Sequence, residues 1–255
     1  MRTGTLSVCI ITFNEEANIR RCLESVSWAD DIVVVDSFSS DRTPEIAGEF
    51  TDKVFKAPWK GYVVQKNLAI SYASSDWILA IDADEVVSGE LRRSIERVLK
   101  GDDRYNGYYI PRRVFYLGRW INHCGWYPDY KLRLFRRGHG RWVGGDLHER
   151  ISLDGPAGYL EGDLYHFPYA DISAHLRTIN EYSTIMANEF RRRGRHPRWA
   201  DLFFRPLFRF LKMYFLKLGF MDGMAGLLVS SLGAIYVFCK YAKLWETHLR
   251  SGGRP

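Results

Sequence analysis

Apolar residues follow two different rhythms along this 255-residue chain. Short aliphatic and β-branched runs, Leu6–Thr12, Asp31–Asp36 and Trp77–Asp82, predict buried strands, with a weaker one over 53–56. Between them the apolar positions fall at helical spacing. Ile19, Leu23 and Val26 share one face of a helix expected over 16–27. A second helix is expected to start at Ser40-Asp41-Arg42-Thr43-Pro44-Glu45, with Pro44 in its first turn. Residues 62–72 and 88–99 also read as helices, the latter capped by Ser88. This alternation predicts an α/β fold with a mostly parallel sheet and helices on both faces.

From Tyr105 the helical rhythm stops. Residues 108–114, 130–135, 149–153 and 159–164 read as strands with Gly-rich joints. Helices return after Asp171, over 171–193, 202–218 and 224–245. The pattern divides the chain into a first domain over 1–170, with halves 1–104 and 105–170, and a C-terminal helical extension over 171–255.

Charge changes the picture of that extension. The net charge is +6, yet from His175 onward 14 Lys and Arg face only 5 Asp and Glu, whereas 22 face 25 before it. A basic tail suits anionic lipid, a phosphorylated glycan or nucleic acid. Its most apolar stretch, 224–239, has 16 residues, short of the ~20 that a bilayer span needs. In 202–218, Phe203, Phe204, Phe208 and Phe215 interleave with Arg205, Arg209, Lys212 and Lys217, the composition of an interfacial helix. Membrane-surface contact is therefore expected, with a packed appendage or a homo-oligomer contact as the alternative. Cys9, Cys22, Cys124 and Cys239 lie far apart and form no C-x-x-C pair, which disfavours a zinc knuckle or redox motif. That usage, and a start that runs into a strand without a hydrophobic leader, predict a reducing, cytoplasmic setting.

Three candidate sites stand at predicted strand ends, where open α/β sheets bind ligands. Asp82 and Asp84 follow one strand as a D-x-D pair. Two carboxylates so placed repel by roughly 4 kcal/mol at 4 Å in an effective dielectric of 20. A hard dication, Mg²⁺ or Mn²⁺, removes that cost and bridges to a diphosphate. A bare D-x-D also reads as a solvated acidic turn. Thr12, Asn14, Glu15 and Glu16 follow the first strand, where they suit a nucleobase edge and also a capped helix start. Asp36 ends the second strand, placed for a ribose hydroxyl or a base N–H. The loop lacks G-x-G-x-x-G, which disfavours a dinucleotide site.

Together, Thr12-Phe13-Asn14-Glu15-Glu16, Val34-Val35-Asp36-Ser37 with Asp41 and Thr43, Lys66-Asn67 with Ala69, and Asp82-Ala83-Asp84-Glu85 resemble the family-2 glycosyltransferases of GT-A fold. The run from Arg133 through Gly144-Gly145 to His148-Glu149, then His166, resembles the lipopolysaccharide-core β-glucosyltransferase branch, which also ends in a basic aromatic tail. The resemblance implies an inverting transfer of a sugar, glucose in that branch, from a UDP-sugar to an anionic cell-envelope glycolipid, without nucleic acid as a partner. It implies a nucleotide-sugar site of Thr12, Asn14, Glu15, Asp36, Lys66, Asn67 and Asp82. Asp84 would bind the metal, with Asp82 and His166 as further candidates.

An inverting transfer needs a carboxylate base on the acceptor side, and Glu149 is the candidate, with Asp129 and Asp146 as rivals. The family's commoner Glu-Asp pair is His-Glu here. Arg133, Arg136 and His148 are candidates for holding an anionic acceptor, Arg through its planar fork. Trp120, Trp126, Tyr127 and Trp142 read either as sugar platforms or as core. Transfer to a polyprenyl phosphate is the competing enzymatic reading; a membrane-binding module is the non-enzymatic one.

Overall fold

The computed structural model describes residues 4–101, 104–145, 148–196 and 198–250. The chain forms two compact units. One runs up to Arg113 and resumes over Asp129–Phe167; the other comprises Val114–Pro128 and the chain from Pro168 onward. The sequence division at 170 therefore moves slightly, and 114–128 leaves the first domain. The reason is packing. Val114, Tyr116, Ile121 and Cys124 are buried in one apolar cluster with Ile179, Met213, Val229 and Leu232 of the helical segment.

In the first unit, β1 (Leu6–Thr12), β2 (Asp31–Asp36), β3 (Val54–Lys56) and β4 (Trp77–Asp82) are parallel, in the order β3-β2-β1-β4. Beyond β4 lie β8 (Asp129–Arg136), β6 (Gly107–Tyr116), β12 (Leu164–His166) and β5 (Glu85–Val87), with β11 (Ala157–Tyr159) paired to β6. Side chains alternate across the sheet. Leu6, Val8 and Ile10 point to a core shared with Ile19, Leu23 and Val26 of α1 (Ile19–Val26) and with Leu91 and Ile95 of α4 (Gly89–Val98). Cys9 and Ile11 point to the other face, toward Ala69 of α3 (Tyr62–Ser71) and Trp142 of β9 (Gly140–Val143). Both faces are thus covered, as parallel strands without polar alternation require. Helix α2 (Thr43–Gly48) carries Pro44 at its start, and Ser88 Oγ accepts from Leu91 N–H to cap α4.

The strand expected over 159–164 is broken in two. β11 ends at Tyr159 and β12 begins at Leu164. Between them Gly162 has φ +89°, and a Cβ there would lie 2.2 Å from Leu91 N. The close approach of two backbones forces a turn. The strand expected over 149–153 starts at Arg150 and is the second arm of a hairpin, β9 with β10 (Arg150–Leu153).

The second unit pairs Val114–Tyr116 with β7 (Arg119–Ile121) and is otherwise helical: α5 (Ile172–Arg192), α6 (Trp199–Leu211), a π-helical turn (Lys212–Leu216) and α7 (Gly223–Arg250). Asp171 caps α5 through Ala174 N–H. Among the described residues one stretch, Gly219–Arg250, is long and apolar enough to cross a bilayer. Within its unit α7 is also a core helix, with Val229, Leu232, Tyr241 and Leu244 buried.

Candidate active site

The parallel strands end at one edge, and the register sets three candidates side by side. Ile11 pairs with Asp82, and Thr12 with Asp36. Asp36 is fully buried and accepts from the backbone N–H of Ser39 at 2.9 Å and from its hydroxyl. Asn14, at φ +53°, accepts from Ser40 N–H at 2.8 Å, and its own N–H donates to Ser39 Oγ at 2.8 Å. These bonds tie the loop after β1 to the loop after β2. Thr12 Oγ1 is buried with no hydrogen-bond partner among the described residues. An orphaned hydroxyl of this kind suits a ligand. Phe13 and Phe38 stand exposed on the same two loops. Phe13 belongs to the Thr12–Glu16 run, but neither ring is expected from sequence to be a contact, although a solvent-facing aromatic beside a strand end is a usable signal.

Asp82 is the hub of a charged network. Lys66 Nζ lies 2.9 Å from its Oδ1, and Arg133 Nη2 lies 2.9 Å from its Oδ2. Burial opposes ionisation of Asp82, but Lys66 and Arg133 outweigh it and hold the carboxyl well below the usual range. The same Arg133 nitrogen reaches Glu85 Oε1 at 3.0 Å, and Glu85 in turn accepts from Asp82 N–H at 2.9 Å. Arg112 joins Glu85, at 3.4 Å, to Asp129, at 2.8 Å. Glu85 and Arg112 went unremarked as site residues in the sequence. Glu85 belongs to the D-A-D-E run, whereas Arg112 reads as an ordinary strand residue.

Arg133 is buried, and a single nitrogen, Nη2, serves both Asp82 and Glu85, while its Nε and Nη1 have no hydrogen-bond partner among the described residues. Arg136 is corrected as an acceptor contact. It pairs with Trp77 at the amino end of β4 and lies over that ring at 4.6 Å, so five residues of strand, roughly 17 Å, separate it from Asp82. Asn67 is committed to the protein backbone. Its amide donates to Trp142 O and accepts from Trp142 N–H, both at 2.9 Å. It fastens β9 to α3, in keeping with an expected role of holding the loop near the diphosphate. Trp142 is buried beneath the Lys66 and Arg133 cations, at 4.3 and 5.4 Å, and is a core residue. Trp126 also packs against a core, that of the second unit.

Glu149 closes the loop between β9 and β10. Gly144, at φ +114°, begins the loop, and a Cβ there would lie 2.5 Å from His148 O. The carboxylate meets Lys66 Nζ at 3.3 Å, so one ammonium spans Asp82 and Glu149. His148 beside it is exposed. Asp129 is already paired with Arg112 and Lys131, and Asp146 lies outside the described residues.

Asp84 and His166 meet through the β5–β12 ladder, which sets His166 opposite Glu85. His166 Nε2 is 3.1 Å from Asp84 Oδ2. Burial opposes the Asp84 charge, yet His166 draws its pKa below the ordinary value. Burial and then the Asp84 charge push Glu15 up to about 7. Among the described residues no three His, Cys, Asp or Glu side chains group around a cation position. Asp84 and His166 nevertheless set a carboxylate oxygen and an imidazole nitrogen side by side, donors that would suit a divalent ion. Such ions keep one or two protein ligands and take the rest from phosphate and water. The donor set fits Mg²⁺ or Mn²⁺ held jointly with a diphosphate. Asp82, with both oxygens already on cations, fits that role less well.

A mostly parallel sheet with helices on both faces, and with Asp36, Asp82 and Lys66 at the carboxyl ends of its strands, is the architecture of the GT-A fold. The model for Glycosyl transferase family 2 matches residues 7–150, and the chain belongs to that family. The lipopolysaccharide core biosynthesis glycosyltransferase LpsC of Rhizobium meliloti is 33% identical over 95% of this chain and 93% of its own length. An uncharacterized glycosyltransferase of Rickettsia typhi is 32% identical over 96% of this chain and 88% of its own. Among solved structures, the mannosyltransferase PcManGT of Pyrobaculum calidifontis, in complex with GDP-Man and Mn²⁺, aligns with a TM-score of 0.52 at 14% identity. That alignment covers 95% of this chain and 88% of that one.

Proposed function

We propose that this glycosyltransferase moves a sugar, with inversion, from a UDP-sugar to a hydroxyl of an anionic cell-envelope glycolipid of the lipopolysaccharide-core type. The observation that carries the reading is the Lys66 ammonium between Asp82 and Glu149, which joins the donor edge of the sheet to a carboxylate from the hairpin. The core-type acceptor is supported by the full-length likeness to LpsC. The uridine and glucosyl identities rest on the motif resemblance. The basic, aromatic extension supports work at the inner face of the cell membrane.

Thr12 Oγ1 and the Asn14 and Asp36 loops take the nucleoside. Asp84 and His166 would hold a Mg²⁺ or Mn²⁺ ion, which supplies Lewis-acid stabilisation to the departing diphosphate. Lys66 adds positive charge at the same edge. Glu149 removes the proton from the acceptor hydroxyl as its oxygen attacks the anomeric carbon from the face opposite the diphosphate. The new C–O bond forms as the bond to the β-phosphate oxygen breaks, and the electron pair leaves on that oxygen.

The test is nucleotide release from a panel of sugar nucleotides, with and without truncated core glycolipid and with Mn²⁺ or Mg²⁺. UDP-glucose turnover is expected only when both glycolipid and metal are present. Glu149→Gln is expected to cost roughly a hundred- to ten-thousand-fold in kcat, with UDP affinity by calorimetry unchanged. Asp84→Ala is expected to lose metal-dependent UDP binding. Near-full activity of Glu149→Gln on a polyprenyl phosphate, whose own anion needs no base, would replace this reading with that one.

A further inference from the structure

The second unit exposes its apolar side. In a water-soluble amphipathic helix the apolar stripe faces the core. α6 does the reverse. Its inner side carries Asp201, buried and paired with Arg195 and Arg205, beside the partly buried Leu202. Its outer side carries Trp199, Phe203, Leu207 and Leu211, an i, i+4 row that Phe215 of the π-helical turn continues, all exposed. Phe204 and Phe208 form a second exposed row beside it. Trp199 is 70% exposed, and Leu216 and Met224 farther along are 70% and 69%. The π-helical turn at Lys212–Leu216 keeps Met213 inside while Phe215 and Leu216 stay outside.

The charges around this face decide what covers it. Residues 191–218 contain nine Lys and Arg and a single acid, the buried Asp201. Arg209, Lys212 and Lys217 are exposed among the aromatics. A protein partner's apolar core would leave these cations desolvated and unpaired. A lipid surface accepts both at once, rings at the headgroup–acyl boundary and cations on anionic headgroups.

We propose that the exposed face of α6, continued by the π-helical turn, docks flat on an anionic phospholipid bilayer, with the rings inserted and Arg209, Lys212 and Lys217 on the headgroups. This docking does not depend on the sugar chemistry proposed above, and it is read without substrate.

The full chain is sedimented with phosphatidylglycerol–phosphatidylethanolamine vesicles and with phosphatidylcholine vesicles, and its mass in solution is measured. Wild type is expected to partition at least tenfold better onto the anionic vesicles, with binding falling as salt rises. The triple variant Phe203→Ser, Phe204→Ser, Phe208→Ser is expected to lose binding to both. The variant Arg209→Gln, Lys212→Gln, Lys217→Gln is expected to lose the preference for anionic lipid. The charge variant, at exposed positions only, keeps the test decisive if thermal unfolding shows the aromatic variant misfolded. Wild type that stays in the supernatant with both vesicles overturns the proposal. So does a wild-type dimer that the aromatic variant converts to monomer without change in vesicle binding.

Discussion

Lys66 and Glu149, 83 positions apart in the chain, meet at 3.3 Å, and the same ammonium lies 2.9 Å from Asp82. One cation therefore neutralises parts of two carboxylates in a largely buried setting. Removing it leaves Glu149 without its cation and Asp82 with Arg133 alone, which costs more than the pair itself is worth. Lys66→Ala is expected to destabilise the wild type more than it destabilises Glu149→Gln. The difference in a double-mutant cycle is expected to be about 0.5–3 kcal/mol. Denaturant unfolding of the four proteins measures it, and additive effects would show that the contact carries no coupling.

Asn67 acts through Trp142. Both halves of its amide bond the Trp142 backbone, and Trp142 lies on the hairpin whose loop carries Glu149. Asn67→Leu keeps the volume and leaves a buried N–H and C=O unpaired, at about 1–3 kcal/mol. The expected result is a lower unfolding midpoint and a lower kcat with donor affinity near wild type. A rise in donor Kd with kcat preserved would instead make Asn67 a nucleotide contact.

Neighbouring glycines in the hairpin loop should respond differently. A Cβ on Gly144 collides with His148 O and must also adopt φ +114°, whereas one on Gly145 meets none of the described residues within 4 Å. Gly144→Ala is expected to displace the turn that presents Glu149 and to reduce kcat at least tenfold. Gly145→Ala is expected to remain within twofold. Steady-state kinetics on the two variants checks this, and equal effects would remove the turn from the argument.

The strand-end edge was legible because its signals are local. Buried β-branched runs end in Thr12, Asp36 and Asp82, and the parallel register sets those ends together. What was not legible depends on pairing across distance. Arg133 reads as a surface fork, yet antiparallel β8 returns it to Asp82, while the same strand carries Arg136 to the far end of β4. Alternation puts these two on opposite faces of β8 but does not say which end of β4 each one meets; only the register does. The segment 114–128 read as part of the first domain, since nothing local reports that its apolar residues are buried with those of helices a hundred positions later. The break at Gly162 was missed for a related reason. The constraint is the backbone of Leu91, over seventy positions earlier in the chain.

The helical unit carries a pH dependence of its own. His175 is buried, stacked on Tyr169 at 4.0 Å, with Nδ1 3.2 Å from the Tyr116 hydroxyl. Burial lowers its pKa from 6.5 to about 4. In the unfolded chain the ring takes a proton near pH 6.5, whereas the folded protein resists until about pH 4. Between those values the unfolded state binds more protons, so stability rises with pH. The contribution is complete above pH 6.5 and is lost as pH falls toward 4. Glu15, raised to about 7 in the other unit, acts with the opposite sign, since its protonated form is the one favoured on folding. The difference between wild type and His175→Phe isolates the histidine. Phenylalanine keeps the stack and cannot titrate. The wild-type unfolding temperature is expected to drop more steeply than that of the variant between pH 6.5 and 4, and parallel curves would remove His175 as the source.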